Sequence, residues 1–514
     1  MDDTVALILS LCLVIISISF LLLVMKRSAN RSPKPLGVRP PGPRKLPVIG
    51  NLHQLIMTSS LPHRRLAELA RKHGPLMHLD LGQVPCVIVS SPEWAKQVMQ
   101  THDLNFANRP TLPAADILLY SGRDIGFSQP GEYWRTMRKL CAAKLLGPKR
   151  VKSLQPTMER EMSKMVASIT SSCFSGVNVS RMLCCLGNAI STSAVFGGSS
   201  STQKQRQEFV PLIKEITKAV GAFSLVDVFP SSKLLRRITR YEPKLKKIHA
   251  AADAIMEAVI NDHMAKRSTK HDQDDNNDED LVDVLLDLKE KDDLRFPFSN
   301  FEIKAVILDI FIAGTETWTI TAAWVMSELM KNPDVMEKAQ KEIRQVVFSR
   351  NGEKDVNEAD IGELNYLELV LKETLRLHTP DALTIPRESQ ETTVINGYRI
   401  PAKTRVIINA WAIGRDPDYW TEPETFNPER FLNSSVSYKG LDFQLIPFGA
   451  GRRICPGMHY GVAIVKLVIA NLLYHFDWEL PNGMMPQELD MSESFGTEVG
   501  RKNDLLLIPI PYHP

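Results

Sequence analysis

Ten consecutive residues, Phe448-Gly449-Ala450-Gly451-Arg452-Arg453-Ile454-Cys455-Pro456-Gly457, have the types and spacing of a metal–thiolate loop. A thiolate on iron is a strong electron donor and favours O–O cleavage. Such a sulfur must be kept from water, and Phe448 can cover it. Gly449, Gly451 and Gly457 let the backbone turn and come close to a macrocycle. Backbone N–H groups aimed at the sulfur would tune its basicity. Arg453 is placed to pair with a propionate of the macrocycle. A lone cysteine is usually a small buried side chain. Five specified residues at fixed spacing (Phe448, Gly451, Arg453, Cys455 and Gly457) argue for a ligand instead.

Three further constellations could act with it. Ala313-Gly314-Thr315-Glu316-Thr317 lies inside a helical run from about Phe301 to Lys331. Ser299 and Glu302 make a capping box at its start, and Pro333 marks its end. A helix of about 30 residues would be about 45 Å long. Thr317 can bond the carbonyl of Ala313 and loosen the ladder, leaving room for dioxygen and a water. Glu373 and Arg376, three apart, share one helix face. Arg430 in Pro428-Glu429-Arg430-Phe431 would complete a Glu–Arg–Arg network that shapes the core and does no chemistry. Trp134-Arg135-Thr136-Met137-Arg138 is the third, and taken alone it reads as an ordinary surface helix.

The elements that must position these residues are mostly helical by periodicity. Strand-like stretches stand at Leu76–Val89 and at Thr393–Ile408, the latter with Asn396-Gly397 as a hairpin turn. Asn482-Gly483 and the apolar run Leu505–Ile510 predict one more small sheet, and no internal repeat is present. With 514 residues, 44% of them hydrophobic, the chain can bury a large core. A net charge of +3 gives no argument for nucleic acid.

Thr4 to Met25 carries no charge and is long enough to span a bilayer. Lys26, Arg27, Arg31 and Lys34 follow it, and Asp2 and Asp3 precede it. The positive-inside rule therefore puts the start of the chain in the lumen and the rest in the cytosol. The segment has neither the basic start nor the cleavage site of a signal peptide. The prolines from Pro33 to Pro47 read as a semi-rigid strut. Seven cysteines in no disulfide pattern fit a reduced compartment, and the adjacent Cys184 and Cys185 read as core packing. Residues 271–280, an acidic run, lack the glycine and terminal glutamate of a calcium loop and read as solvated. The expected division is an anchor at 1–25, a basic proline-rich hinge at 26–60 and a catalytic domain at 61–514.

The Cys455 loop with the other three motifs, in this order and spacing, resembles the cytochrome P-450 superfamily over essentially the whole chain. The resemblance implies a mainly α fold: a large helical domain around a buried haem, a smaller β-rich domain and an N-terminal transmembrane helix. It implies haem b with Cys455 as axial ligand. Trp134, Arg138 and, after Pro386, Arg387 would face the haem propionates. Glu316 and Thr317 match the family's acid–alcohol pair, which delivers protons to dioxygen. The activity implied is an NADPH- and O2-dependent monooxygenase. The chain has no Gly-rich dinucleotide fingerprint of its own, so electrons must come from a separate membrane-bound NADPH–cytochrome P-450 reductase. Arg135, Lys139, Lys144, Lys149, Arg150 and Lys152 could steer an acidic flavin domain to it. A haem protein that only binds gas would have no use for Glu316 and Thr317. Isomerases and dehydratases on this fold often lose that pair. The implied location is the endoplasmic reticulum membrane.

More closely, Pro40-Pro41-Gly42-Pro43, Phe106-Ala107-Asn108-Arg109-Pro110 and Phe426-Asn427-Pro428-Glu429-Arg430-Phe431 resemble the plant A-type group. Residues 223–230 resemble its branch of limonene hydroxylases, sesquiterpene oxygenases and tabersonine hydroxylases. That implies a small apolar substrate: foremost a sesqui- or diterpenoid, then a monoterpene indole alkaloid, then a phenolic. By the family pattern the pocket would be lined by Ile117, Leu118, Tyr120, Asp309, Ile312, Ala313, Asp381, Ala382, Ile385, Thr497 and Glu498. Asp381 and Thr497-Glu498 depart from the apolar residues usual there, and a buried carboxylate needs a partner.

Overall fold

The computed structural model describes residues 37–57, 60–197, 203–221, 224–269, 280–291, 296–350 and 356–512. The anchor segment and all but Asp280 of the acidic run lie outside these residues. The elements that matter for the site are, in chain order, α1 (Pro62–His73), β1 (Leu76–Leu81), β2 (Val84–Val89), α2 (Glu132–Leu140), α3 (Val179–Phe196), α4 (Gln203–Gly221), α5 (Tyr241–Thr269), α6 (Leu281–Lys291), α7 (Asn300–Lys331), α8 (Asn365–Leu377), β3 (Arg387–Glu388), β4 (Thr393–Ile395), β5 (Tyr398–Ile400), β6 (Arg405–Ile408), α9 (Met458–His475), β7 (Phe476–Glu479), β8 (Glu493–Phe495), β9 (Val499–Arg501) and β10 (Leu506–Pro511).

Helix α7 is the axle of the molecule. Ser299 caps it, with its hydroxyl accepting from the Phe301 amide at 3.2 Å and Glu302 reaching back to the Ser299 amide at 2.9 Å. Asn332 ends it before Pro333, which opens the next helix. The helix is apolar all round because it is wrapped all round, by α3, α9, α8, α5 and α6. Among the described residues, three helices (α3, α7 and α9) are long and apolar enough to cross a membrane. Their apolar residues are instead largely buried against one another and against neighbouring helices.

The β elements form a smaller layer beside this bundle. One sheet runs β1-β2-β6-β3, antiparallel except for β2 beside β6, where Cys86 pairs with Arg405. The expected stretch 393–408 splits into a tight hairpin, β4–β5, and a separate strand, β6. Asn396 (φ 48°) and Gly397 (φ 82°) take the left-handed conformations that a two-residue turn needs. β10 pairs with β7, as the C-terminal apolar run predicts, and also with Val177–Asn178. From Gly37 on, the proline-rich segment lies against these sheets. Val38 bonds Gly397 and Arg399, and Pro41 accepts from the His78 amide at 2.8 Å.

Two expectations need correction. Cys185 is exposed and Cys184 half-buried on α3, because the helix turns Leu183, Leu186 and Gly187 inward and the cysteine pair outward. Arg150 is buried and does not belong to an exposed basic face, whereas Arg135, Lys139, Lys144, Lys149 and Lys152 are exposed.

Candidate active site

The Cys455 loop is fixed by its backbone. The Cys455 amide donates to the Phe448 carbonyl at 2.9 Å, closing the loop on itself. Gly451 has φ 69°, and a Cβ there would lie 2.0 Å from the Met99 carbonyl, so only glycine fits. The Gly457 amide points at the sulfur. Burial pushes the Cys455 thiol up, while that amide and the nearby Arg138 guanidinium oppose the rise. Phe448 is half-buried, its ring edge-on to Tyr438 at 5.6 Å.

A set of cations surrounds the loop. Arg453 is spent on carbonyls, with Nε donating to Ala107 at 2.9 Å and its terminal nitrogens to Ile125 and Ser128. Its guanidinium lies 4.2 Å over the Trp134 ring, and Trp134 Nε1 donates to the same Ile125 carbonyl at 3.2 Å. Arg138 donates to the Ile454 carbonyl. Arg387 pairs with Asp103 at 2.9 Å and donates to Ala450 at 2.8 Å. Burial first, then Arg387 and Arg138, push Arg453 down to about 9.

This donor set fits a haem. A cysteine sulfur faces inward, and four buried or half-buried arginines (Arg109, Arg138, Arg387 and Arg453) repel one another, with Asp381, Asp124 and Asp103 as the acids that face the set. An anion between them would relieve that repulsion.

Sequence reasoning missed Asp103 and Arg109. Asp103 accepts from the Arg452 amide at 2.9 Å as well as from Arg387, so it pins the loop's turn. Arg109 bonds Gly126, Ile385 and Pro386 carbonyls within 2.8 Å and stitches two segments together. Both sit within or just before the Phe106–Pro110 motif, which marked a resemblance and carried no mechanism.

On α7, Thr317 Oγ1 donates to the Ala313 carbonyl at 2.8 Å, and Trp318 Nε1 donates to the next carbonyl, Gly314, at 3.1 Å. Two successive carbonyls therefore take side-chain donors, which weakens the local ladder. Trp318 itself is buried against α3 at Gly187. Ala313 is exposed although its helix is the most central one, and Ile385 is 38% exposed, so both face an internal cavity. Glu316 is half-buried, and burial pushes its carboxyl up.

Behind the loop, Glu373 accepts two bonds from Arg376 at 2.7 Å and one from Arg430 at 2.9 Å. Glu373 and Arg376 have no exposed side-chain surface. Arg376 also ties Gly414 and Pro423 carbonyls to α8.

The expected pocket divides. Ile117, Ile312, Asp381 and Glu498 are half-buried, while Leu118 and Ala382 are buried in apolar clusters. Tyr120 is turned away: its hydroxyl donates to Asp253 on α5 at 2.7 Å, and its ring packs on His249 and Phe301. Asp309 is a clasp, accepting from the Ile125 and Gly126 amides, with burial first and then Asp124 pushing its carboxyl up. Thr497 spends its hydroxyl on the Thr217 carbonyl of α4 at 2.7 Å. Sequence position cannot show these orientations, because each depends on what faces the side chain from another element.

A model of the Cytochrome P450 family matches residues 40–504. Desmethyl-deoxy-podophyllotoxin synthase of Sinopodophyllum hexandrum is 51% identical over 96% of this chain and 95% of its own length. Tabersonine 6,7-epoxidase isoform 1 of Catharanthus roseus is 46% identical over 98% and 97%. Premnaspirodiene oxygenase of Hyoscyamus muticus is 45% identical over 98% and 99%. A zebra fish cytochrome P450 solved with progesterone has the same fold, with a TM-score of 0.74 and 24% identity over 88% of this chain and all of the solved one.

Proposed function

We propose, from the premise that this chain belongs to the cytochrome P450 family, that it oxidises a polycyclic, largely apolar plant metabolite of terpenoid or alkaloid type at the Cys455 site. The chain is a haem monooxygenase, and its family draws electrons from a reductase and acts on small substrates. Haem, when bound, supplies the reductive activation of O2 and the insertion of one oxygen atom into a C–H bond.

The chain's own residues do the rest. Cys455 would hold the haem iron, with the Gly457 amide tempering its sulfur. Arg138, Arg387, Arg453 and Trp134 would hold the propionates, and Phe448 and Gly449 would shield the sulfur. Ile312, Ala313 and Ile385 exclude water from the reacting carbon. Thr317 Oγ1, once turned off the Ala313 carbonyl, holds a proton over the cavity. Glu316, pushed up by burial, can pass one to it.

Arg138 joins α2 to the Cys455 loop, so the exposed Arg135 and Lys139 on the same helix lie on the face nearest the sulfur. With Lys144, Lys149 and Lys152 they would guide an acidic NADPH–cytochrome P-450 reductase there. The chain would sit in the endoplasmic reticulum membrane through residues 1–25, with its start in the lumen and 61–514 in the cytosol. A second observation supports contact with the bilayer. Val48, Ile56 and Met57 are exposed apolar side chains, as are Leu234 and Ile238 beside Arg236 and Arg237. The β1–β2 turn brings the two stretches together, Gly82 bonding Ile49 and Gln83 bonding Val228.

The observation that carries this reading is the inward-facing Cys455 ringed by arginines. Microsomes co-expressing the chain and a plant reductase should, with NADPH, add one oxygen to a member of a terpene and indole-alkaloid panel. The Cys455→Ala variant should lose both that product and the thiolate-type reduced-CO absorption. Survival of the absorption would refute the ligand assignment.

A further inference from the structure

Three carboxyl groups converge on the cavity from three elements: Glu316 of α7, Asp381 of the loop after α8, and Glu498 of the β8–β9 turn. Two of them have cations facing them. Lys214 of α4 faces Glu316, and Arg109 faces Asp381, although the Arg109 guanidinium is taken up by the carbonyls of Gly126, Ile385 and Pro386. Glu498 has none. The charges that face it are Glu316 and Asp381, both of its own sign, and among the described residues only its own backbone amide donates to its carboxyl.

The backbone that carries Glu498 is held in place. The Thr497 hydroxyl is tied to the Thr217 carbonyl, and the Gly496 amide donates to the Glu498 carbonyl at 3.1 Å. The Val499 amide donates to Pro380 at 2.7 Å, and the Val499 carbonyl accepts from Trp324 Nε1 at 3.3 Å. The turn is thus pinned on α4, on α7 and on the loop that carries Asp381. A Cβ on Gly221 would strike Thr497, so α4 itself leans on this turn.

A half-buried carboxyl with no cation and no donor from another residue costs free energy, and neither the fold nor the cysteine loop makes use of this one. A hydrocarbon in the cavity would leave Glu498 unanswered. A hydroxyl would answer one lone pair. A positive charge would answer the summed field of the three.

We propose that Glu498 is the specificity-determining residue of this cavity and receives a positively charged nitrogen of the substrate, so that the chain prefers an apolar polycyclic amine to a hydrocarbon of the same shape. This rests on the cavity over Cys455 being the substrate site. Burial first, then Glu316 and Asp381, push the Glu498 carboxyl up to about 8. A bound cation favours the ionised form, so affinity for a permanent cation should climb as pH rises through 8.

The test uses the holoenzyme in microsomes and two probes that neither titrate nor ligate iron: 1-adamantyl-trimethylammonium and its neutral carbon isostere, 1-tert-butyladamantane. Equilibrium dialysis gives the ratio of their affinities between pH 6.5 and 9. The wild type should favour the cation increasingly with pH. Glu498→Gln should cut the ratio on the order of tenfold and flatten its pH dependence, and Glu498→Thr should do the same. An unchanged ratio in both variants, or a wild type that favours the isostere throughout, overturns the proposal. The reduced-CO spectrum of the same preparations reports separately on Cys455. An intact spectrum with an unchanged ratio therefore sinks this inference and leaves the reading of the haem site standing.

Discussion

Two glutamates five residues apart on the β8–β9 hairpin meet opposite fates. Glu493, at the hairpin's base, accepts from His63 at 2.9 Å, Arg64 at 2.8 Å and Trp411 at 3.3 Å. These partners outweigh its burial and pull its carboxyl down to about 2. Glu498, at the tip, has only acids facing it and is pushed up to about 8. The same contrast divides the molecule. Behind the cysteine loop the buried charges are answered: Glu373 by Arg376 and Arg430, Arg387 by Asp103. Over the cavity Glu498 is not. Charges that hold the fold are satisfied within it, and those left over face the place where a substrate comes. The difference separates residues kept for architecture from residues kept for recognition.

The contrast breaks most severely at Glu373. Glu373→Gln would leave Arg376 and Arg430 without their counter-charge and should destabilise the holoenzyme by about 3 to 5 kcal/mol, read as a lower urea midpoint and a fall in retained haem. An unaltered midpoint would mean that carbonyls alone satisfy both arginines. The two hairpin glutamates come next, and their signs differ. Glu493 has a depressed pKa, so its contribution is full above its ordinary value of 4.5 and is lost as pH falls towards 2. Glu493→Gln should therefore lower stability at pH 7, by about 2 to 3 kcal/mol, and converge on wild type in acid. Glu498 has a raised pKa, so it costs stability increasingly from pH 4.5 upward, and fully above 8. Glu498→Gln should therefore raise the urea midpoint at pH 9 and leave it nearly unchanged near pH 5. Parallel curves for the two variants would erase the distinction between base and tip. The smallest effect concerns α7. Thr317→Ala removes one bond to the Ala313 carbonyl and should change stability by less than about 1 kcal/mol. It should nevertheless raise peroxide released per NADPH consumed. Unchanged coupling would place Thr317 with the architectural residues.

Much of this molecule is written locally. The Ser299–Glu302 box, the Asn396-Gly397 turn, the β1–β2 stretch and the Glu373–Arg376 spacing each depend on residues close in sequence, and the structure has them where local chemistry puts them. The Cys455 loop was legible for the same reason, since its glycines and cysteine act within ten residues. Tyr120, Asp309, Thr497 and Cys185 were not legible. Tyr120 finds Asp253, Asp309 finds the Ile125 amide, and Thr497 finds Thr217, partners more than 100 residues away in every case. Cys185 faces outward because of helix phase against neighbours the sequence does not name.

The sequence by itself therefore determined the iron ligand candidate, the central helix, the helical majority and the class of chemistry, because each follows from short-range spacing. Only the tertiary structure decided which polar groups are spent on the fold and which stay free over the cavity. Pairing and desolvation are set by whatever lies within a few ångströms, and for a buried side chain that is mostly residues distant in the chain.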